Sequence, residues 1–107
     1  MRRFTTKCHK KQNKLKLAYI TGATKGIGKS TAITFAKAGW DLILLSRNID
    51  LLEKLKRELS NTQSKISLVK CDLSNSKEIE FTIRESIKKY GCPSVLINNA
   101  GVAFNGA

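Results

Sequence analysis

Apolar and polar positions along the chain fall into short blocks of two alternating kinds. Leu17-Ala18-Tyr19-Ile20, closed by Thr21, is a compact apolar run. Asp41–Ser46 contains another, Leu42-Ile43-Leu44-Leu45, which is apolar on both faces. Strands covered on both sides, as in a parallel sheet, read this way. Ile66–Lys70 and Ser94–Asn98 repeat the pattern and complete a set of four predicted strands. Between them the period changes to that of a helix. Gly28–Ala38 is the first predicted helix, with Ile27, Thr31, Ala32, Phe35 and Ala36 forming its apolar stripe and Gly39 placed as a C-terminal stop. Asp50–Leu59 puts Leu51, Leu52, Leu55 and Leu59 on one face and offers Glu53–Arg57 and Lys54–Glu58 pairs on its outer side. A third helix starts from Asn75 or Ser76, either a good N-cap, and ends at Tyr90 before Gly91. Its buried face is Ile79, Phe81 or Ile83, and Ile87.

Strand–helix alternation with short connections implies right-handed crossovers and a parallel sheet. Two helices then cover one face as the chain steps from the first strand to the third. The third helix crosses the other face and brings the fourth strand beside the first. The expected fold class is α/β: the first half of a Rossmann-type, doubly wound parallel sheet with strand order 3-2-1-4, a three-layer αβα arrangement incomplete on one face. Ligands bind such sheets where the strand order reverses, here between strands one and four.

The segment at that reversal is Thr21-Gly22-Ala23-Thr24-Lys25-Gly26-Ile27-Gly28. Its glycines allow a tight turn and a close backbone approach to a ligand. The helix that follows offers unpaired N–H groups and the positive end of its dipole to an anion. The pattern predicts a nucleotide-phosphate cradle.

Composition narrows the context. At 107 residues the chain is at most one domain, and its 41% hydrophobic and 26% charged content is that of an ordinary globular protein. No apolar run approaches the roughly 18 residues of a membrane span. The basic start also lacks the apolar core and cleavage site of a secretory signal, so a cytoplasmic protein with no membrane partner is expected. The alternative is an organelle, if the acid-free start is a transit peptide; its lysine richness and lack of serine stand against that. The net charge of +12 is uneven: Arg2, Arg3, Lys7, Lys10, Lys11, Lys14 and Lys16 precede every acidic residue. The expected division is a basic flexible extension over residues 1–15 and a nucleotide-binding half-domain over 16–107. Phe4 is the one aromatic residue near that basic run and no nucleic-acid module follows it, so nucleic acid is not an expected partner. Cys8, Cys71 and Cys92 form no CxxC pair, and His9 is the lone histidine. They read as reduced thiols, and no metal site is expected.

The glycine spacing is GxxxGxG (Gly22, Gly26, Gly28). With Thr21 before it and Asn98-Asn99-Ala100-Gly101 after the fourth strand, the sequence resembles the short-chain dehydrogenase/reductase family, in order and register from Lys16 to Ala107. The resemblance implies an oxidoreductase passing hydride between a nicotinamide cofactor and a carbonyl or hydroxyl group. With the charges considered below, cofactor contacts are expected at Gly22, Thr24, Lys25, Gly26, Ile27, Gly28, Arg47, Asp72, Leu73, Asn99, Ala100 and Gly101. In that scheme the three glycines line the pyrophosphate and Ile27 packs near the cofactor. Asp72 caps the adenine amino group, and Asn99, Ala100 and Gly101 run past the adenosine ribose. Asn98 ties the strand ends together.

Charge at the end of the second strand bears on which cofactor is bound. Enzymes of this architecture that use NAD place an acid about 20 residues after the glycines, on the ribose 2′-OH. Here the strand ends in Ser46, followed by Arg47 and Asn48. A guanidinium grips a 2′-phosphate that a carboxylate would repel, and Lys25 adds a second positive charge. NADP is expected over NAD.

Family members also use a Ser, a Tyr and a Lys four residues after that Tyr. Tyr19 and Tyr90 are followed at this spacing by Ala23 and Ser94, so both read as structural and no catalytic residue is assigned. The expected protein is an N-terminal fragment of an NADP-dependent short-chain oxidoreductase. Its full-length form would be a homo-oligomer acting on a small-molecule carbonyl or alcohol. One alternative is a non-catalytic dinucleotide-binding module or remnant. Another is a phosphate-loop NTP-binding protein, because Ala23–Ser30 approximates GxxxxGK[ST], with Lys29 reaching phosphates and Ser30 holding Mg²⁺. Against it, Ile27 occupies a loop position, no strand ends in a convincing Mg²⁺-holding Asp, and Asn98–Gly101 is left unexplained. The half-domain leaves the edge of its fourth strand open, so the chain alone is expected to be insoluble, molten or oligomeric.

Overall fold

The computed structural model describes residues 16–99. The extension over 1–15 and the residues Ala100 and Gly101 lie outside the described residues. The elements are β1 (Leu17–Thr21), α1 (Gly26–Lys37), β2 (Asp41–Ser46), α2 (Ile49–Glu58), β3 (Ile66–Lys70), α3 (Ser76–Tyr90) and β4 (Val95–Asn98). The sheet is parallel throughout and runs β3-β2-β1-β4, the order expected from the alternation. Thr21 at the end of β1 lies opposite Leu45 of β2 and Asn98 of β4, which aligns the C-terminal strand ends along one rim.

Alternate side chains of each strand leave the sheet on opposite sides, so the apolar runs divide between two cores. Ala18, Ile20, Leu42, Leu44 and Ile66 pack with Ala32 and Ala36 of α1 and Leu52 and Leu55 of α2. Leu17, Tyr19, Ile43 and Leu45 pack with Ile79, Ile83 and Ile87 of α3. One face thus has two helices and the other has one. Every residue of β4 is half-buried, whereas β1 is buried throughout. Tyr19 carries its polar end into the single-helix layer, where its hydroxyl donates to the Gly91 carbonyl oxygen at 2.7 Å.

Several helix details depart from the sequence pattern. Helix α1 starts at Gly26, two residues before the expected Gly28, and Ile27 of its supposed apolar stripe is 76% exposed. On α3 the position left open between Phe81 and Ile83 goes to Ile83, and Phe81 is 64% exposed. The expected Glu53–Arg57 and Lys54–Glu58 pairs are not made. Glu58 pairs instead with Lys29 of α1 at 3.6 Å, an exposed contact between neighbouring helices. Cys71 is a buried free thiol, while Cys92 is disulfide-bonded rather than reduced. Among the described residues, no helix is long and apolar enough to cross a membrane.

Candidate functional site

The turn from β1 into α1 is built around its glycines. Gly22 and Gly26 have φ of 64° and 51°, a region costly for side chains other than glycine. The Gly22 N–H donates to the Leu45 carbonyl oxygen at 2.9 Å, which holds the start of the turn against β2. A Cβ on Gly28 would lie 2.0 Å from the Gly22 carbonyl oxygen. The first turn of α1 can therefore press against the loop only because residue 28 has no side chain.

The three helix starts differ in a way that matters at this rim. Asn48 caps α2 by accepting from the Leu51 N–H, and Asn75 caps α3 by accepting from the Glu78 N–H. Each of these helices also has an acid in its first turn, Asp50 and Glu78 respectively. Helix α1 has neither: Lys25 at its N-cap makes no side-chain cap, and its first turn holds no acid. Its first N–H groups and its dipole are left for an external anion.

Beside this turn lies a cleft of about 570 Å³ at the C-terminal rim of the sheet. Of the residues expected at a cofactor, Gly22, Thr24, Lys25, Arg47, Asp72, Leu73 and Asn99 line it. Gly28 is buried, Gly26 and Ile27 are exposed at the helix start, and none of these three is in the lining. Ser46, Asn48, Leu51 and Ser74 also line the cleft and were not singled out as contacts from sequence. Ser46 and Asn48 flank Arg47, and Ser74 follows Asp72 by two residues, so adjacency was the signal available for three of them.

The lining is locally ordered. The Ser46 hydroxyl accepts from the Asn48 N–H at 3.2 Å, closing the turn that carries Arg47. Asp72 Oδ1 accepts from the Ser74 hydroxyl at 2.7 Å and from the Ser74 N–H at 3.0 Å. These bonds, helped by the Arg47 charge, hold the Asp72 carboxyl below its ordinary value. On the β1 and β4 side, the Thr21 hydroxyl donates to Asn98 Oδ1 at 2.7 Å and accepts from the Asn99 N–H at 3.0 Å. Asn98 therefore joins the two strand ends. The Asn99 side-chain nitrogen, Nδ2, is buried without a hydrogen-bond partner. A buried donor left unpaired is costly unless a ligand completes it.

Other residues with possible chemistry lie away from the cleft. Lys29 is in the exposed pair with Glu58, and Tyr19 is buried within the sheet. Tyr90, at the end of α3, is not in the cleft lining. No group of His, Cys, Asp and Glu side chains among the described residues could hold a metal ion. The residues present fit a dinucleotide: an uncapped helix start, a glycine turn that packs directly against it, and an orphaned amide donor on the adjoining wall.

Comparison with known proteins agrees with this geometry. Residues 16–107 match the family described as short chain dehydrogenase. The chain is 38% identical over 88 residues to farnesol dehydrogenase of Aedes aegypti, covering 81% of this chain and 36% of that protein. It is 35% identical to 3beta-hydroxysteroid dehydrogenase 2 of Eggerthella lenta, covering 82% of this chain and 34% of the relative. Among solved structures, L-sorbose reductase from Gluconobacter frateurii, complexed with NADPH and L-sorbose, superposes with a TM-score of 0.72 at 31% identity, over 80% of this chain and 33% of that one. An alcohol dehydrogenase from the archaeon Thermococcus sibiricus, complexed with 5-hydroxy-NADP, superposes with a TM-score of 0.69 at 33% identity, over 76% and 35%. The chain spans about a third of the length of the curated relatives it matches. With the parallel 3-2-1-4 sheet and the glycine turn at its reversal, these matches establish that the chain belongs to the short chain dehydrogenase family.

Proposed function

We propose that residues 16–107 form the N-terminal, cofactor-binding part of an NADP(H)-dependent short-chain oxidoreductase. The observation that carries this reading is the charge where β2 ends. Ser46, not an acid, ends β2, and Lys25 and Arg47 line the same cavity. A ribose 2′-phosphate carries negative charge that two cations favour and a carboxylate would repel. The 5-hydroxy-NADP and NADPH complexed with two solved relatives support the same choice.

In this reading the turn at Gly22, Gly26 and Gly28 receives the pyrophosphate, with Thr24 beside it. Arg47 and Lys25 take the 2′-phosphate. Asp72 and Leu73 bound the adenine, and Ile27 packs against the cofactor. Asn99, with Ala100 and Gly101 beyond it, lies along the ribose. The bound nicotinamide supplies or accepts a hydride at a small-molecule carbonyl or alcohol. Neither Tyr19 nor Tyr90 has a lysine four residues on, so no turnover is expected of this chain alone. In the full-length form, which we take to be a homo-oligomer, the catalytic residues come from the part of the relatives that this chain does not span.

The test is an equilibrium titration of the full-length form with NADPH and with NADH, repeated for Arg47→Asp. The wild type should prefer NADPH by about tenfold or more, and the variant should lose or reverse that preference. An unchanged ratio in the variant overturns the choice of NADP. Magnesium-dependent binding of ATP in excess of NADPH overturns the dinucleotide reading.

A further inference from the structure

Asp72 lies two residues beyond Lys70, the last residue of β3, and the sheet hydrogen bonds stop just short of it. The Cys71 N–H still donates to the Ser46 carbonyl oxygen at 3.0 Å. The next N–H, that of Asp72, donates instead to Glu78 Oε2 at 2.9 Å, six residues ahead on α3. Glu78 is itself fixed, because its N–H donates to Asn75 Oδ1 at 3.1 Å. The Asn75 N–H turns back to the Asp72 carbonyl oxygen at 3.3 Å. In an ordinary capping box the acid three residues into the helix returns to the N–H of the cap residue. Here that N–H is occupied by Asp72, and the acid reaches past it to the start of the loop.

We propose that Glu78, which is not in the cleft lining, is a positioning residue for the adenine side of the cofactor site. It acts by holding the main chain of Asp72 and Leu73. The inference rests on the proposed function, in which these two residues bound the adenine. A loop fixed before the ligand arrives loses less freedom on binding than one that must be ordered by it. The buried, unpartnered Nδ2 of Asn99, on the β1 and β4 side of the same cleft, is an independent sign that the cleft receives a polar ligand.

Two probes separate a local role from general damage. 2′,5′-ADP carries the adenine and the 2′-phosphate, whereas inorganic pyrophosphate engages the glycine turn alone. Binding of each should be followed by NMR titration of the full-length form that carries these residues and of its Glu78→Ala and Glu78→Gln variants. In Glu78→Ala, 2′,5′-ADP should bind about five- to tenfold more weakly, the scale of one ordinary net hydrogen bond, with pyrophosphate within about twofold of wild type. Glu78→Gln keeps an acceptor oxygen and should restore most of the affinity. The Asp72 amide should exchange slowly with solvent in the wild type and quickly in Glu78→Ala. Equal losses for both probes, or no rescue by Gln, overturn the inference. Unchanged 2′,5′-ADP binding in Glu78→Ala overturns it and leaves the cofactor reading standing. Failure of the wild type to bind 2′,5′-ADP overturns both.

Discussion

Thr21 and Asn98 close the point where the sheet reverses. The hydroxyl at the end of β1 donates to Asn98 Oδ1 at the end of β4 at 2.7 Å, and it accepts the next N–H, that of Asn99, at 3.0 Å. One hydroxyl thus uses both its donor and its acceptor capacity inside the rim, where Thr21 is fully buried. Valine has nearly the same shape and supplies neither bond. Thr21→Val should therefore destabilise the fold by about 1–3 kcal/mol, the cost of leaving buried polar partners incomplete. Thr21→Ser should recover most of that loss. Urea denaturation of the three proteins measures it, and a valine variant as stable as wild type would show that the hydroxyl does not hold the strands together.

Gly28 makes a sharper case, because its neighbour is backbone and cannot swing aside. The Cβ of Gly28→Ala would lie 2.0 Å from the Gly22 carbonyl oxygen, so α1 must move away from the turn. A cost of about 1–3 kcal/mol is expected, as for other overpacked sites, together with loss of measurable NADPH binding. Gly39→Ala is the matched control. A Cβ there meets nothing within 4 Å, and the substitution is strained only by its φ of 85°. It should cost about 1 kcal/mol and leave nucleotide affinity unchanged. Thermal melts with and without NADPH separate the two.

The fold was legible because its strands are short, apolar and evenly interrupted by glycine and helix caps. Leu42-Ile43-Leu44-Leu45 has no polar residue to place on a solvent face, which fits a central strand. The glycine turn fell at the reversal, so motif and topology located the cleft together. What escaped the sequence depends on contacts distant along the chain. Glu58 turns to Lys29 because α1 and α2 share a face of the sheet, which helical spacing within α2 does not report. Ile27 belongs to the helical stripe by spacing, yet it falls in the first turn of α1, beyond the cover of the sheet. The early start of α1 was hidden because glycine is a poor helix former, and no side chain marks a cap.

Lys29 separates the dinucleotide reading from the phosphate-loop one. Its ammonium is 3.6 Å from Glu58 in a pair about two-fifths exposed on each side. Such a pair contributes about 0.2–1 kcal/mol. Lys29→Ala should thus have a small effect on stability and leave NADPH affinity within about twofold. A lysine holding β- and γ-phosphates would instead carry much of the affinity. Loss of nucleotide binding in Lys29→Ala would favour the phosphate loop.

Tyr19 sets an alkaline limit on stability. Burial is the main cause raising its phenol pKa, with a smaller contribution from Tyr90. The folded chain therefore keeps this proton more tightly than the unfolded chain, whose tyrosine titrates near about 10. Stability from this group is complete below that pH and is lost as pH rises above it, since only the unfolded state then releases the proton. Burial likewise raises the Cys71 thiol, which adds to the alkaline loss. Tyr19→Phe isolates the phenol. At neutral pH the variant should be less stable by about 1 kcal/mol, because the 2.7 Å bond to the Gly91 carbonyl is gone. Above pH 10 its stability should fall less steeply than that of the wild type, so the two curves converge. Urea midpoints measured from neutral to alkaline pH test this. Parallel curves would assign the alkaline loss to other groups and leave Tyr19 only its hydrogen bond.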